Sequence, residues 1–403
     1  MKEEILCVLR NTLKSLEDLK DLPTEKQGKT YFSKYPSIII FLSFCKVYFP
    51  NDIKISVQLK YYMNALVTEI KKMKVISTSF YYGILGIAYA VNICAKETGN
   101  YANLLSSIEK LHLKLVESQL MVIKEKNEIE ERDYDILQGI SGNLIYLLNT
   151  HVPNSDTRLI EEILKYLVGL TQNNFKKMNI LPQSMVNLEL REIYKHGYIN
   201  LSLSHGMGGV LYVLSLAIEK NIIVDGQVQA IKNILELYCE SFRRTKKLSD
   251  WNARYTNEAN EVFYGKCRIS WCYGILSILR VVELASKLVN DKTMKQIVDE
   301  KLEAIISLPL IDWNLTSVTF CHGWSGALGV LSTINCSRKS SDIEQLIDKI
   351  VENILIINDK KHLEYSIDSG NLSILESNLG TMMVLAKTLN KKVETDYFKM
   401  FCV

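Results

Sequence analysis

Cys321-His322-Gly323-Trp324-Ser325-Gly326 opens an apolar run, Ala327 to Leu331, and the same design recurs along the chain. Gly83-Ile84-Leu85-Gly86 leads into Ile87 to Ile93, and Gly139-Ile140-Ser141-Gly142 into Leu144 to Leu148. Gly206-Met207-Gly208-Gly209 precedes Val210 to Leu216, and Gly274-Ile275-Leu276-Ser277 precedes Ile278 to Leu284. A degenerate sixth copy, Ser377-Asn378-Leu379-Gly380, precedes Met382 to Leu385. The copies stand roughly 50 to 70 residues apart, the period of a repeated helix pair.

The motif-led runs are apolar nearly all round and read as buried inner helices. Between them lie Tyr101 to Val116, Arg158 to Leu170, Gln227 to Phe242, Thr293 to Ile306 and Ile343 to Ile356. Each mixes polar with apolar positions, as a half-buried outer helix does. Glycines three apart share one helix face, and glycine relieves the opening turn of steric limits. A ring of inner helices inside a ring of outer ones buries every apolar face without an open end. The expected fold is therefore all-α: an α/α toroid of six inner and six outer helices, occupying residues 1–403 as a single domain.

Further helices are expected from Ile5 to Leu19 and from Ile55 to Ile70, with a boundary at Tyr35-Pro36-Ser37. Two stretches break the pattern. Asn173 to Asn200, with Pro182, reads as an inserted lobe; Lys246 to Ile269 carries Trp251, Arg254, Tyr255 and Tyr264. Both precede an inner helix, so both belong over the same end of the ring, where a substrate would bind.

Composition narrows the class. Apolar residues make up 47% and charged residues 23%, and the net charge of +3 is too balanced for a nucleic-acid protein or an anionic membrane. Six prolines in 403 residues favour helices. The N-terminus lacks the apolar core of a secretory signal, and no run is long enough for a transmembrane helix. Nine widely spaced cysteines, an odd number, point to reduced thiols in the cytosol.

The repeat also aligns chemistry. Cys272 and Cys321 each lie two residues before their motif glycine; His322 and His205 lie one before theirs. Asp135, four before Gly139, lies on the same rim. A lone cysteine is more often a small core residue, but matching offsets in two repeats with a histidine beside one favour a metal. Two thiolates and an imidazole suit zinc, and three protein ligands leave a fourth position for water or substrate. Two roles are open for His205, a fourth ligand or a general acid–base, with Asp135 orienting it or sharing its proton. Arg268, four before Cys272, could stabilise an oxyanion or be a plain surface arginine. Tyr273 could line the cavity or donate a proton. His112, His151, His196 and His362 have no equivalent in the repeat and read as structural or exposed.

Ser204-His205-Gly206, Trp271-Cys272-Tyr273-Gly274 and Cys321-His322-Gly323, set in six inner-helix motifs, resemble the lanthionine synthetase C-like family. The likeness to its stand-alone lanthipeptide cyclases spans nearly the whole chain. Ser277 and Ser377 replace motif glycines, and the third copy reads Gly-Met-Gly-Gly where relatives often carry a proline. These departures touch the helix starts and leave every metal and acid–base position in place.

The resemblance implies a zinc enzyme that adds cysteine thiolates of a ribosomal peptide to dehydroalanine or dehydrobutyrine, closing lanthionine and methyllanthionine rings. Cys272, Cys321 and His322 would hold Zn2+; His205 and Asp135 match acid–base positions, and Arg268 and Tyr273 match active-site neighbours. It also implies a dehydrated precursor peptide with its leader as substrate. A separate dehydratase and a transporter would be partners, and the cytoplasmic chain would reach the membrane only through that biosynthetic complex. Asn173 to Asn200 is the expected leader-docking surface. Two competing readings are a non-catalytic thiol- or glutathione-binding member of the same family and a carbohydrate enzyme. The latter needs paired carboxylates, and Asp135 has no equally placed acidic partner.

Overall fold

A computed structural model describes residues 2–18, 34–73, 76–81, 83–150, 157–185, 187–256, 267–360, 372–389 and 395–403. His151, Tyr264 and His362 lie outside these described residues. The elements run in the order α1 (Lys2–Asp18), α2 (Tyr35–Tyr48), α3 (Ile53–Lys72), α4 (Ile84–Thr98), α5 (Ala102–Lys124), α6 (Glu131–Tyr134), α7 (Ile140–Asn149) and α8 (Thr157–Leu170). Then come β1 (Asn179–Ile180), α9 (Leu188–Ile193), β2 (Tyr198–Asn200), α10 (Met207–Glu219), α11 (Gln227–Arg244) and β3 (Arg254–Tyr255). The chain finishes with α12 (Ile275–Leu288), α13 (Lys292–Ser307), α14 (Trp324–Arg338), α15 (Ser341–Lys360), α16 (Asn378–Leu389) and a 3-10 segment, Thr395–Phe401.

Two compact units result, Met1–Leu115 with Thr316–Val403, and Val116–Leu315. In the first, α4, α14 and α16 are the expected buried helices, each starting at its motif. A further helix is buried like them: α2, with every residue from Pro36 to Cys45 inaccessible, packs against α3, α4 and α16. It has no glycine signature because Pro36 sits in its first turn, where a missing N–H costs nothing.

In the second unit α10 packs against both α7 and α12, while α8, α11 and α13 supply the amphipathic layer. Leu159, Ile160, Ile163, Leu164 and Leu167 of α8 are buried at i, i+3, i+4 spacing, the single-sided stripe expected of an outer helix. Asp291 starts α13 by accepting the Met294 amide at 2.9 Å.

The glycines earn their places differently from the sequence expectation. Gly206 (φ −133°) and Gly323 (φ −120°) have backbone angles open to any residue. What excludes a side chain is space: a Cβ would lie 2.3 Å from the Asn200 carbonyl oxygen in one case and 2.3 Å from that of Ser317 in the other. Each helix therefore begins where the chain folds back onto the carbonyl six residues earlier. The motif departures are accommodated locally. Ser277 donates its hydroxyl to the Gly274 carbonyl at 3.0 Å, and Ser377 accepts the Leu379 amide at 3.2 Å.

The two irregular stretches meet in one small antiparallel sheet, ordered β1-β2-β3. Ile180 pairs with Tyr198, and Asn200 with Arg254. Strand β2 is wholly buried and ends six residues before Gly206, so the sheet leads directly into the His205 turn. No helix of the described residues is long and apolar enough to cross a membrane.

Candidate metal centre and acid–base pair

Three loops of the second unit are laced together by backbone bonds. The amides of Leu203 and Ser204 donate to the Cys272 carbonyl at 3.1 and 3.3 Å, and the Ile136 amide donates to the Ser204 carbonyl at 3.3 Å. Asp135, His205 and Cys272, far apart in sequence, are thereby held on one patch of backbone.

Asp135 is 1% exposed and heavily tied. Its Oδ1 accepts the amides of Leu137, Gln138 and Gly139 at 3.1, 2.6 and 2.7 Å. Its Oδ2 faces His205 Nδ1 at 2.5 Å. A carboxylate clamped by three amides cannot swing, so it fixes the imidazole ring and leaves Nε2 as the end that can exchange a proton. Burial by itself would lower the His205 pKa. It is outweighed by the hydrogen bond to Asp135 and the charges of Asp135, Glu131 and Cys272, and the net shift is upward.

Around this pair stands a polar layer that the sequence reading did not single out. Glu131, one helical turn before Asp135, accepts from Tyr198 Oη at 3.1 Å and from Asn200 Nδ2 at 2.7 Å. Asn200 Nδ2 also reaches Tyr273 Oη at 3.4 Å, and the Tyr273 ring lies 6.0 Å from that of His205. Burial, followed by the negative charge of Glu131, pushes the Tyr273 hydroxyl pKa upward despite Asn200 and Arg254. The repeat held a signal for Asn200: it lies six before Gly206, as Ser317 does before Gly323 and Ser77 before Gly83.

The arginine over Tyr273 is Arg254, its guanidinium carbon 5.4 Å from the ring centre and 5.5 Å from that of Tyr198. Arg268, the arginine read from the sequence, has an exposed side chain, and its carbonyl lies beside Gly274.

In the first unit, Cys321 is 8% exposed and its amide donates to the Leu375 carbonyl at 2.8 Å, while His322 next to it is exposed. The ligand atoms of Cys272, Cys321 and His322 all lie within 4.8 Å of one another. None of the nine cysteines is in a disulfide, so both thiols are kept as donors. Tetrahedral zinc with bonds of about 2.0–2.3 Å sets its ligand atoms roughly 3.5–3.8 Å apart. The donor set and its spacing are compatible with a metal ion of that kind.

Comparison with known proteins shows the family and the fold. The family model for lanthionine synthetase C-like proteins matches residues 27–402. The nisin biosynthesis protein NisC of Lactococcus lactis subsp. lactis is 24% identical over 338 residues, 81% of this chain and 77% of that protein. The solved structure of a nisin cyclase superposes with a TM-score of 0.82 at 22% identity, covering 98% of both chains. The all-α toroid expected from the repeat is the fold shared with it. The chain belongs to the lanthionine synthetase C-like family.

Proposed function

We propose that this chain closes thioether rings in a dehydrated ribosomal peptide, as a zinc-dependent lanthionine synthetase. The observation that carries the reading is the coincidence of a Cys272–Cys321–His322 donor set with a clamped Asp135–His205 pair, the latter laced to Cys272 through backbone. A thiol ligand set with one open position suits a thiol substrate. A histidine with one free nitrogen suits proton transfer.

Cys272, Cys321 and His322 would hold the zinc. Once bound, it would supply the Lewis acidity that keeps a substrate cysteine as its thiolate at neutral pH. The rest falls to the chain. The sulfur adds to the β-carbon of dehydroalanine or dehydrobutyrine: a C–S bond forms, the Cα–Cβ π bond breaks, and the electron pair moves onto the carbonyl as an enolate. The enolate then takes one proton at Cα. His205 exchanges that proton at Nε2, with Asp135 holding the ring's orientation and balancing the charge of the imidazolium. Tyr273 and Arg268 are assigned to the carbonyl side, where negative charge develops.

Residues 1–403 would act as one catalytic domain, with the sheet-forming lobe at 173–200 as an insertion that receives the peptide's leader. The dehydroamino acids require a dehydratase upstream, and the product requires a transporter. Nine cysteines without a disulfide favour the reducing cytosol, with the membrane reached only through that complex.

Thioether closure leaves the peptide's mass unchanged, so the assay is loss of alkylatable thiols from a dehydrated precursor peptide. Wild type should consume them and carry zinc; Cys272→Ala should lose both. Retention of zinc and ring closure in Cys272→Ala would overturn the reading. Tight binding of thiol peptides or glutathione without thiol loss would make the chain a binding member of the family instead.

A further inference from the structure

Asn200 is a fully buried amide whose hydrogen bonds can be accounted for one by one. A side-chain amide has two N–H donors and a carbonyl acceptor, and burial makes each unmade bond costly. Asn200 Oδ1 accepts the Ser202 amide at 2.9 Å, and Nδ2 donates to Glu131 Oε1 at 2.7 Å and to Tyr273 Oη at 3.4 Å. Flipping the amide would set its carbonyl against the Glu131 carboxylate and its NH2 against the Ser202 N–H. Both contacts would repel, so the network itself decides which end is the nitrogen.

That assignment determines the polarity of a second group. Nδ2 can only donate, so the Tyr273 oxygen accepts, and the tyrosine's own proton must point elsewhere. Asn200 is the hydrogen-bond partner of the Tyr273 hydroxyl among the described residues. The Tyr273 ring lies 6.0 Å from that of His205, and Cys272 is the preceding residue.

We infer that Asn200, held by Glu131, is a positioning residue that makes the Tyr273 hydroxyl an acceptor toward the protein and so commits its proton to the substrate. The group receiving it is the carbonyl oxygen of the dehydroamino acid, on which enolate charge grows as the C–S bond forms. A donor aimed at that oxygen before reaction is worth most in the transition state. This role rests on the cyclase reading and deepens it. Glu131 acts one step further back: it fixes the amide that fixes the phenol, and through Asp135 on the same helical turn it shares a scaffold with His205.

The test is a double-mutant cycle between Asn200→Ser and Tyr273→Phe, read as the saturating rate of thiol consumption from the dehydrated peptide. Serine can still accept the Ser202 amide in a local turn, so the substitution removes the donor to Tyr273 while sparing the loop. Asn200→Ser should slow the wild-type background about tenfold with little change in KM. In the Tyr273→Phe background the same change should cost less than about twofold, because the group it acts through is gone. Equal losses in both backgrounds, or no loss in either, would overturn the role.

A second readout needs neither substrate nor a change at Asn200. The wild-type minus Tyr273→Phe difference Raman spectrum isolates the phenol's Fermi doublet, whose intensity ratio distinguishes an acceptor phenol from a donor. An acceptor-type ratio in the substrate-free protein supports the inference, and a donor-type ratio defeats it. A wild type that consumes no thiols would defeat the cyclase reading, whereas a donor-type doublet in an active enzyme would defeat the Asn200 role alone.

Discussion

Ser204-His205-Gly206 and Cys321-His322-Gly323 are the same backbone device with different chemistry. Both glycines lie against a carbonyl six residues back, and both histidines occupy the position just before a buried helix. Yet His205 has a side chain only 28% exposed and is gripped by Asp135, whereas His322 is exposed. The preceding residue differs as well: Ser204 is inaccessible and binds the Cys272 carbonyl, while Cys321 presents a thiol. A repeat dictates where a side chain starts; the neighbouring loop decides what it can do there. Asp135 makes His205 an acid–base candidate, and Cys321 with Cys272 makes His322 a ligand candidate.

The sharpest way to break this comparison is to exchange the losses. Cys272→Ala or His322→Ala should abolish zinc binding and ring closure together, measured by metal analysis and thiol consumption. His205→Ala should retain zinc but slow ring closure by about 10²–10⁴-fold. If His205→Ala loses the metal instead, His205 is a fourth ligand and the division between the two histidines collapses. Asp135→Asn should be milder, about 10–100-fold in rate, because it disturbs the ring's orientation while leaving the imidazole in place.

Stability against pH sharpens the same contrast. The folded-state pKa of His205 lies above the unfolded value near 6.5, so its pairing with Asp135 stabilises the fold fully below that value. The stabilisation fades as pH rises through the folded-state pKa. The gap in unfolding free energy between wild type and Asp135→Asn should therefore be larger at pH 6 than at pH 9, by denaturant titration. A gap unchanged across that range would remove the charged pair.

The smallest effects test the backbone device. Gly206→Ala would force a methyl against the Asn200 carbonyl and should cost about 1–3 kcal/mol, besides disturbing His205. Gly169→Ala, in α8 with nothing within 4 Å of the new methyl, should stabilise by about 0.4–1 kcal/mol. Thermal melts of the two variants give the comparison directly.

Legibility followed the range of the signal. The six motif-led helices could be read because glycine, apolar run and amphipathic partner are all written locally. Helix α2 was not read as one of the buried inner helices because its start carries Pro36 instead of a glycine, although its run of apolar residues was plain. The stretches at 173–200 and 246–269 were legible only as departures. Their strands are two or three residues long, too short for a periodicity, and the two stretches pair with each other across more than fifty residues of chain. Arg254 was visible there as part of a substrate surface, but its stacking on Tyr273 depends on that pairing.

By itself, the sequence determined the helical repeat, the offsets that align Cys272, Cys321, His322, His205 and Asp135, and the donor chemistry they offer. Those properties are local or periodic, and need no knowledge of what packs on what. Tertiary structure alone decided that Asp135 spends one oxygen on three amides and the other on His205. It also decided that Glu131 and Asn200 stand behind Tyr273. A hydrogen bond's direction depends on which donor meets which acceptor in space, and that meeting is set by the folding back of loops, not by spacing along the chain.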